Sequence, residues 1–144
     1  MAARVLPGSD CRVRRGRRHD LGAVRTLLGT DDVPPKLFRR LLADLGADVY
    51  VAEDPGGTVV GLVSVAYARS LVRGGAAALL DGARASDPPV LDGLIAFAEE
   101  RARRRGCRRL AAWVAPEDGA LRSALLRRGY HPGELLTTDL AAVP

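Results

Sequence analysis

Val51-Ala52-Glu53-Asp54-Pro55-Gly56-Gly57-Thr58-Val59-Val60-Gly61-Leu62-Val63 is two apolar runs held apart by a Pro-Gly-Gly turn signal. Valine-rich runs of this length favour strands and the residues between them favour a turn, so the stretch predicts a β-hairpin. Read backwards, its first strand begins at Asp48 and closes at Glu53. Read forwards, its second strand starts at Thr58 and continues to about Ser70. Gly61 inside that strand predicts a bulge or a close backbone approach. Arg73-Gly74-Gly75 is a further turn, and Ala76 to about Gly82 a third strand. The middle of the chain therefore reads as a β-meander.

Helical spacing flanks the meander on both sides. Upstream, residues 1–10 read as a loose leader and Cys11–Arg15 as a short strand with Val13 inward. His19-Asp20 opens a helix with Asp20 as N-cap; Leu21, Val24, Leu27 and Leu28 form its apolar stripe, and Gly29 stops it. A second helix begins at Pro34-Pro35, where missing N–H groups cost nothing. Leu37, Phe38, Leu41, Leu42 and Leu45 share one of its faces, and Gly46 ends it. Downstream, Pro88 to Arg105 has apolar residues at Val90, Leu91, Leu94, Ile95, Ala98 and Ala102, with Gly106 as its stop. Arg108–Ala115 reads as a buried strand containing Trp113. Asp118 or Glu117 caps a last helix, with Leu121, Ala124 and Leu125 inward and Gly129-Tyr130 at its end. Leu135–Leu140 reads as a final strand. The order is β-α-α-β-β-β-α-β-α-β, without internal repeat, in one domain spanning residues 1–144.

Composition narrows the class. A chain of 144 residues, 47% hydrophobic, can hold a core unaided, burying about 70% of its unfolded surface. Purely apolar runs such as Ala76–Leu80 fall far short of the roughly 20 residues of a membrane span. Met1–Pro7 contains no apolar h-region, which argues against secretion. With two cysteines, Cys11 and Cys107, and no zinc-type spacing, the expectation is two reduced thiols in a cytoplasmic protein. The net charge of +5 comes almost entirely from arginine, Lys36 being the only lysine, as GC-rich coding produces. At 4% aromatic, the chain has too few rings to stack single-stranded nucleic acid.

The element order, over nearly the whole chain, resembles the GNAT acetyltransferase superfamily. Val51-Ala52-Glu53-Asp54 followed by Val59-Val60-Gly61-Leu62-Val63 resembles the family's meander. Ala98–Leu110 resembles the helix and fifth strand after the family's cofactor loop, and Leu121–Tyr130 its closing helix with a Gly-aromatic end. The resemblance implies an α/β (α+β) GNAT-like fold: a central, mostly antiparallel mixed sheet flanked by about four helices. It implies an acyl-CoA cofactor, acetyl-CoA or another, and transfer of its acyl group to an amine.

In that family a Gln/Arg-x-x-Gly-x-Gly/Ala loop opens the third helix, and its N–H groups hold the CoA pyrophosphate. Counting back from Gly106, the matching positions are Ser86, Asp87, Pro88, Pro89, Val90 and Leu91. The prolines donate no N–H, Asp87 is placed to cap the first turn with a charge that repels phosphate, and Leu91 adds bulk. As a plain sequence feature, Ser-Asp-Pro-Pro is a strong helix start. The family's tyrosine would fall near Leu125, the Asn that precedes its last helix near Asp118, and its fourth-strand carboxylate at Ala77 or Ala78. Asp81 lies three or four residues further along that strand and is the one catalytic candidate, as a general base; the plain alternative is an edge or turn carboxylate. The family also binds pantetheine by backbone bonds where the fourth strand splays from the fifth, which the resemblance assigns to Ala83 and Ala85. The strand order it implies also separates Cys11 from Cys107 by three strands at about 4.8 Å each, beyond the roughly 7 Å limit for a disulfide.

Outside this frame, Arg14, Arg15, Arg17 and Arg18 beside His19, with Arg101, Arg103, Arg104, Arg105, Arg108 and Arg109, form basic clusters. They read either as a nucleic-acid or acidic-partner surface or as solvated faces offset by Glu99 and Glu100. His19 and His131 have no Ser or Cys at readable spacing, so no triad is supported. The expected function is a GNAT-like module with a degenerate acetyl-CoA site, weakly active or non-catalytic, holding a small molecule or a protein partner in the old cleft. An N-acyltransferase with an altered cofactor mode is the alternative, and a basic nucleic-acid module, resting on charge alone, comes third. The resemblance also implies a homodimer through the last strands. No metal ligand set is expected.

Overall fold

The computed structural model describes residues 3–140. Six strands form one sheet in chain order: β1 (Arg4–Val5), β2 (Arg12–Arg15), β3 (Ala47–Glu53), β4 (Val59–Ser70), β5 (Gly75–Ala85) and β6 (Leu110–Ala112). All neighbours are antiparallel except β5 and β6, which pair in parallel. The helices are α1 (Leu21–Leu28), α2 (Pro35–Ala43), α3 (Pro88–Arg104) and α4 (Gly119–Arg127).

Strand alternation divides the core into two layers. Tyr50 and Ala52 of β3, Val63 and Val65 of β4, and Ala78, Leu80 and Ala83 of β5 pack with α3 and α4. Val49, Val51 and Leu62 point the other way, against Val24 of α1 and Phe38 of α2. Both faces of β3 are covered, which is why its first six residues are buried without alternation. No helix among the described residues is long and apolar enough to cross a membrane.

The hairpin and the four helices stand as the sequence predicts, and five local expectations are corrected. Residues 1–10 are not a loose leader in their described part. Arg4–Val5 pair with Val13 and Arg12, and Leu6 is fully buried where α3 carries Gly93. Asp20 stands at the N-cap position of α1, but its side chain makes no capping bond there. It is buried in a 3-10 turn, takes Arg17 N–H at 2.6 Å and is held by both terminal nitrogens of Arg14, at 2.8 and 2.9 Å. Leu45 does not share the buried face of α2, because the helix ends at Ala43 and leaves it 88% exposed. The predicted buried strand Arg108–Ala115 shrinks to Leu110–Ala112 on the sheet edge, with Trp113 47% exposed because nothing covers that side. Leu135–Leu140 forms no strand, and Leu135, Leu136 and Leu140 are exposed. Its Thr137-Thr138-Asp139 centre offers no apolar face whose burial would offset the cost of ordering it.

Gly61 marks a close approach beside a register shift between Ala52 and Glu53. A Cβ there would lie 2.7 Å from Leu94 and 3.0 Å from Val90, so its absence lets α3 press on the sheet.

Candidate functional site

The parallel pair β5–β6 is short. Ala78–Leu80 face Leu110–Ala112, and the last bond across is Trp113 N–H to Leu80 O at 3.0 Å. Beyond it β5 runs on to Ala85 while the other chain turns towards α4, so the two diverge and leave a gap. On β5 the divergence coincides with a bulge. Ser64 pairs with Gly82 and Val65 with Leu80, so Asp81 has no partner across β4. A bulge resets which side chains point inward. Ala78 and Leu80 face α3 before it, and Ala83 does so after it.

Register also settles the backbone. Ser86 N–H bonds Val60 O at 2.8 Å, so by antiparallel alternation Arg84 and Gly82 direct their main-chain groups to β4. Those of Ala83 and Ala85 therefore face the gap. Arg84 reaches across it: its guanidinium pairs with Asp118, which caps α4 by accepting Leu121 N–H at 3.2 Å. An ion pair thus links the two walls that the main chains leave apart.

At the start of α3, Asp87 Oδ1 accepts Val90 N–H at 3.0 Å, and Leu91 N–H bonds Asp87 O at 3.2 Å. Pro88 and Pro89 have no N–H, so the first turn offers no free donor. Val90 and Leu91 are buried in the core. Of the other positions singled out by sequence, Leu125 is buried, Ala77 and Ala78 carry no polar group, and Asp81 is exposed at its bulge. His19 is exposed, 3.7 Å from Asp20, and His131 is exposed beyond α4. Cys11 and Cys107 are both buried and unpaired. The described residues include no group of three or more His, Cys, Asp or Glu side chains fit to hold a metal.

Several features had no local signal. A groove of about 920 Å³ lies on the outer side of β6 and not in the gap. Arg109, Trp113, Arg122, Tyr130 and Leu135 are among its lining residues. Beside it the Tyr130 hydroxyl donates to Glu99 at 2.9 Å, and Arg128 pairs with the same carboxylate. Burial pushes the Glu99 carboxyl up, but the hydrogen bonds from Arg128 and Tyr130 outweigh it and hold the group below its usual range. The same contact, added to burial, pushes the Tyr130 hydroxyl well up. Many of the clustered arginines are likewise engaged: Arg14 with Asp20 and Glu53, Arg104 with Glu100, and Arg101 and Arg105 with Asp48.

No family model and no curated relative matches the chain. Solved structures do. A transcriptional regulator from Bacillus halodurans C-125 superposes with a TM-score of 0.78 at 20% identity, over 90% of this chain and 99% of that one. The aminoglycoside antibiotic 6'-N-acetyltransferase AAC(6')-Ih from Acinetobacter baumannii gives 0.74 at 15% identity, over 93% and 99%. A ribosomal-protein-alanine N-acetyltransferase from Brucella melitensis biovar Abortus 2308 gives 0.73 at 16%, over 92% and 99%. At these identities the likeness is one of fold, and the fold is that of the GNAT acetyltransferases.

Proposed function

We propose that this GNAT-fold chain has given up ordinary acetyl-CoA chemistry. It acts as a weakly active or non-catalytic module that holds a small molecule or a protein partner in the gap between β5 and the start of α4. The observation that carries the reading is the first turn of α3. A pyrophosphate bound at a helix start needs free N–H groups and tolerates no nearby carboxylate. Here two of those groups are absent, Asp87 occupies the third, and its own charge stands at the position. Those residues do not fit the phosphate end of an acyl-CoA. The Arg84–Asp118 pair adds to the obstacles for an acyl-CoA arm, because an arm threading between the walls must part it. Calorimetric titration with acetyl-CoA tests it. No binding at millimolar ligand is the expected result, and micromolar binding or turnover at an ordinary enzymatic rate overturns it.

A second reading is favoured by the backbone of Ala83 and Ala85, whose outward groups suit strand-like bonds to an amide-bearing arm. Under it the chain is an N-acyltransferase that holds its donor by pantetheine alone, with Asp81 as general base towards the acceptor amine. CoA lacking its 3'-phosphate would then bind almost as well as CoA, and Asp81→Asn would lower turnover without weakening donor binding. Nucleic-acid binding has little support, since so many of the arginines are spent on carboxylates; retention at low salt that falls steeply with added salt would be its sign.

A further inference from the structure

At the other end of the sheet, under the last turns of α3, three guanidinium groups converge on one carboxylate. Asp48 of β3 is 1% exposed. Its Oδ1 receives Arg15 at 3.2 Å and Arg105 at 3.4 Å. Its Oδ2 receives the Tyr67 hydroxyl at 2.7 Å and lies 3.5 Å from Arg101 Nε. Arg105 also donates to Leu45 O at 3.0 Å. Arg15 and Arg101 flank the Tyr50 ring at 5.8 and 5.6 Å, and Arg105 covers the Tyr67 ring at 4.1 Å.

The cluster has more donors than acceptors. Each guanidinium brings five N–H groups, whereas Asp48 supplies two oxygens. Two positive charges stay uncompensated, and the negative end of α3 offsets only about half of one. Two buried polar atoms are left without a well-formed hydrogen bond, Arg101 Nε and the hydroxyl of Tyr50, whose residue is only 1% exposed and whose oxygen lies beside the Arg15 guanidinium. Buried polar groups without partners are rare and costly, and here both sit in the one cluster that is short of acceptors. The cluster is reachable, because the Arg15 side chain is 49% exposed and anchored to Asp48 by a single long bond. From the first turn of α3 it is about 20 Å away at 1.5 Å per residue, so it is separate from the gap described above.

We propose that Arg15, Arg101, Arg105 and the Tyr50 hydroxyl form a binding site for a phosphate group, either free inorganic phosphate or the end of a phosphomonoester. Asp48 is the pivot that holds the three guanidinium groups together. Arg15 swings outward, the oxyanion enters between Arg15 and Arg105, and its oxygens accept from Tyr50 and Arg101. Planar guanidinium groups suit such an oxyanion because they donate in pairs.

The test is calorimetry and thermal unfolding of the whole chain with inorganic phosphate, against sodium chloride at matched ionic strength. Saturable binding with a rise in melting temperature that chloride does not reproduce is expected. Tyr50→Phe is the decisive variant. Losing a hydrogen bond to a charged group should weaken phosphate about tenfold. Without phosphate the same variant should be as stable as the parent or more so, because it deletes a buried hydroxyl that makes no well-formed hydrogen bond. Arg15→Gln, at a half-exposed position, should also weaken binding while the fold stays intact. Glycerol 3-phosphate separates the two sources. Equal binding supports a phosphomonoester and exclusion supports the free ion, and either result upholds the site. No saturable binding at millimolar phosphate overturns the proposal. So does binding that both variants leave unchanged, or a Tyr50→Phe chain that is less stable without phosphate.

Discussion

Gly93→Ala sets two effects of similar size against each other. In a helix interior, alanine is favoured over glycine by about 1 kcal/mol. At this position the new Cβ would lie 2.7 Å from Leu6 Cγ, 2.9 Å from its Cδ2 and 3.0 Å from Pro7 O. Of these, Cγ is a branch point and Pro7 O a backbone oxygen, so only the Cδ2 methyl could yield as a flexible chain end would. Overpacking of this kind costs about 1–3 kcal/mol. The loss is capped near 2 kcal/mol, because the segment can undock and give up the burial of Leu6. The net expectation is destabilisation of about 1 kcal/mol, or about 3–5 °C in melting temperature for a chain of this size. Urea unfolding of the single variants and of the pair with Leu6→Ala measures it. In the Leu6→Ala background both side-chain clashes are gone and only the Pro7 O contact at 3.0 Å remains, so Gly93→Ala should become neutral or stabilising, with a coupling of about 2 kcal/mol. If Gly93→Ala stabilises the parent chain as much as it stabilises Leu6→Ala, then Leu6 is not seated on α3 and the reasoning fails.

Three more expectations follow from named contacts. Burial pushes the Asp20 carboxyl up, but hydrogen bonds from Arg14 and from Arg17 N–H outweigh it and lower its pKa. That stability is therefore present above the unfolded carboxylate value of about 4 and is lost as pH falls through the lower folded value. Urea midpoints should fall on acidification, and Asp20→Asn, which leaves Arg14 half-paired in the interior, should cost about 3–5 kcal/mol at neutral pH; a flat profile from about pH 6 to about pH 3 would contradict this. Asp87→Ala should cost about 1 kcal/mol through loss of the α3 cap. It should still leave acetyl-CoA binding undetectable at millimolar ligand, since Pro88 and Pro89 lack N–H groups and one freed donor does not replace two; measurable binding in the titration would refute that. Among the described residues no strand lies beside the outer edge of β6, and Leu135, which lines the groove there, is exposed, as are Leu136 and Leu140. A second copy is expected to pair there, so light scattering should find a concentration-dependent dimer that Ala112→Pro disperses, and a monomer at every concentration would end the idea.

The sequence determined what depends on neighbours along the chain. The hairpin around Asp54–Gly57 and the helices over 21–28, 35–43, 88–104 and 119–127 were legible because apolar spacing, caps and turn residues act within a few positions. So was the spent first turn of α3, because Asp87 and its prolines sit in the turn they control. Tertiary structure decided what depends on register and on distant partners. Asp81 became a bulge residue through the slip between Ser64 and Val65, a property of two strands together. Leu6 was drawn in by a glycine that lies far along the chain on α3, while Leu135–Leu140, with no covering partner, stayed out of the sheet. Arg84 met Asp118 across 34 positions, and Arg105 met Asp48 across 57. Periodicity says which face a side chain occupies, whereas a charge finds its partner only when the fold has closed the loop between them.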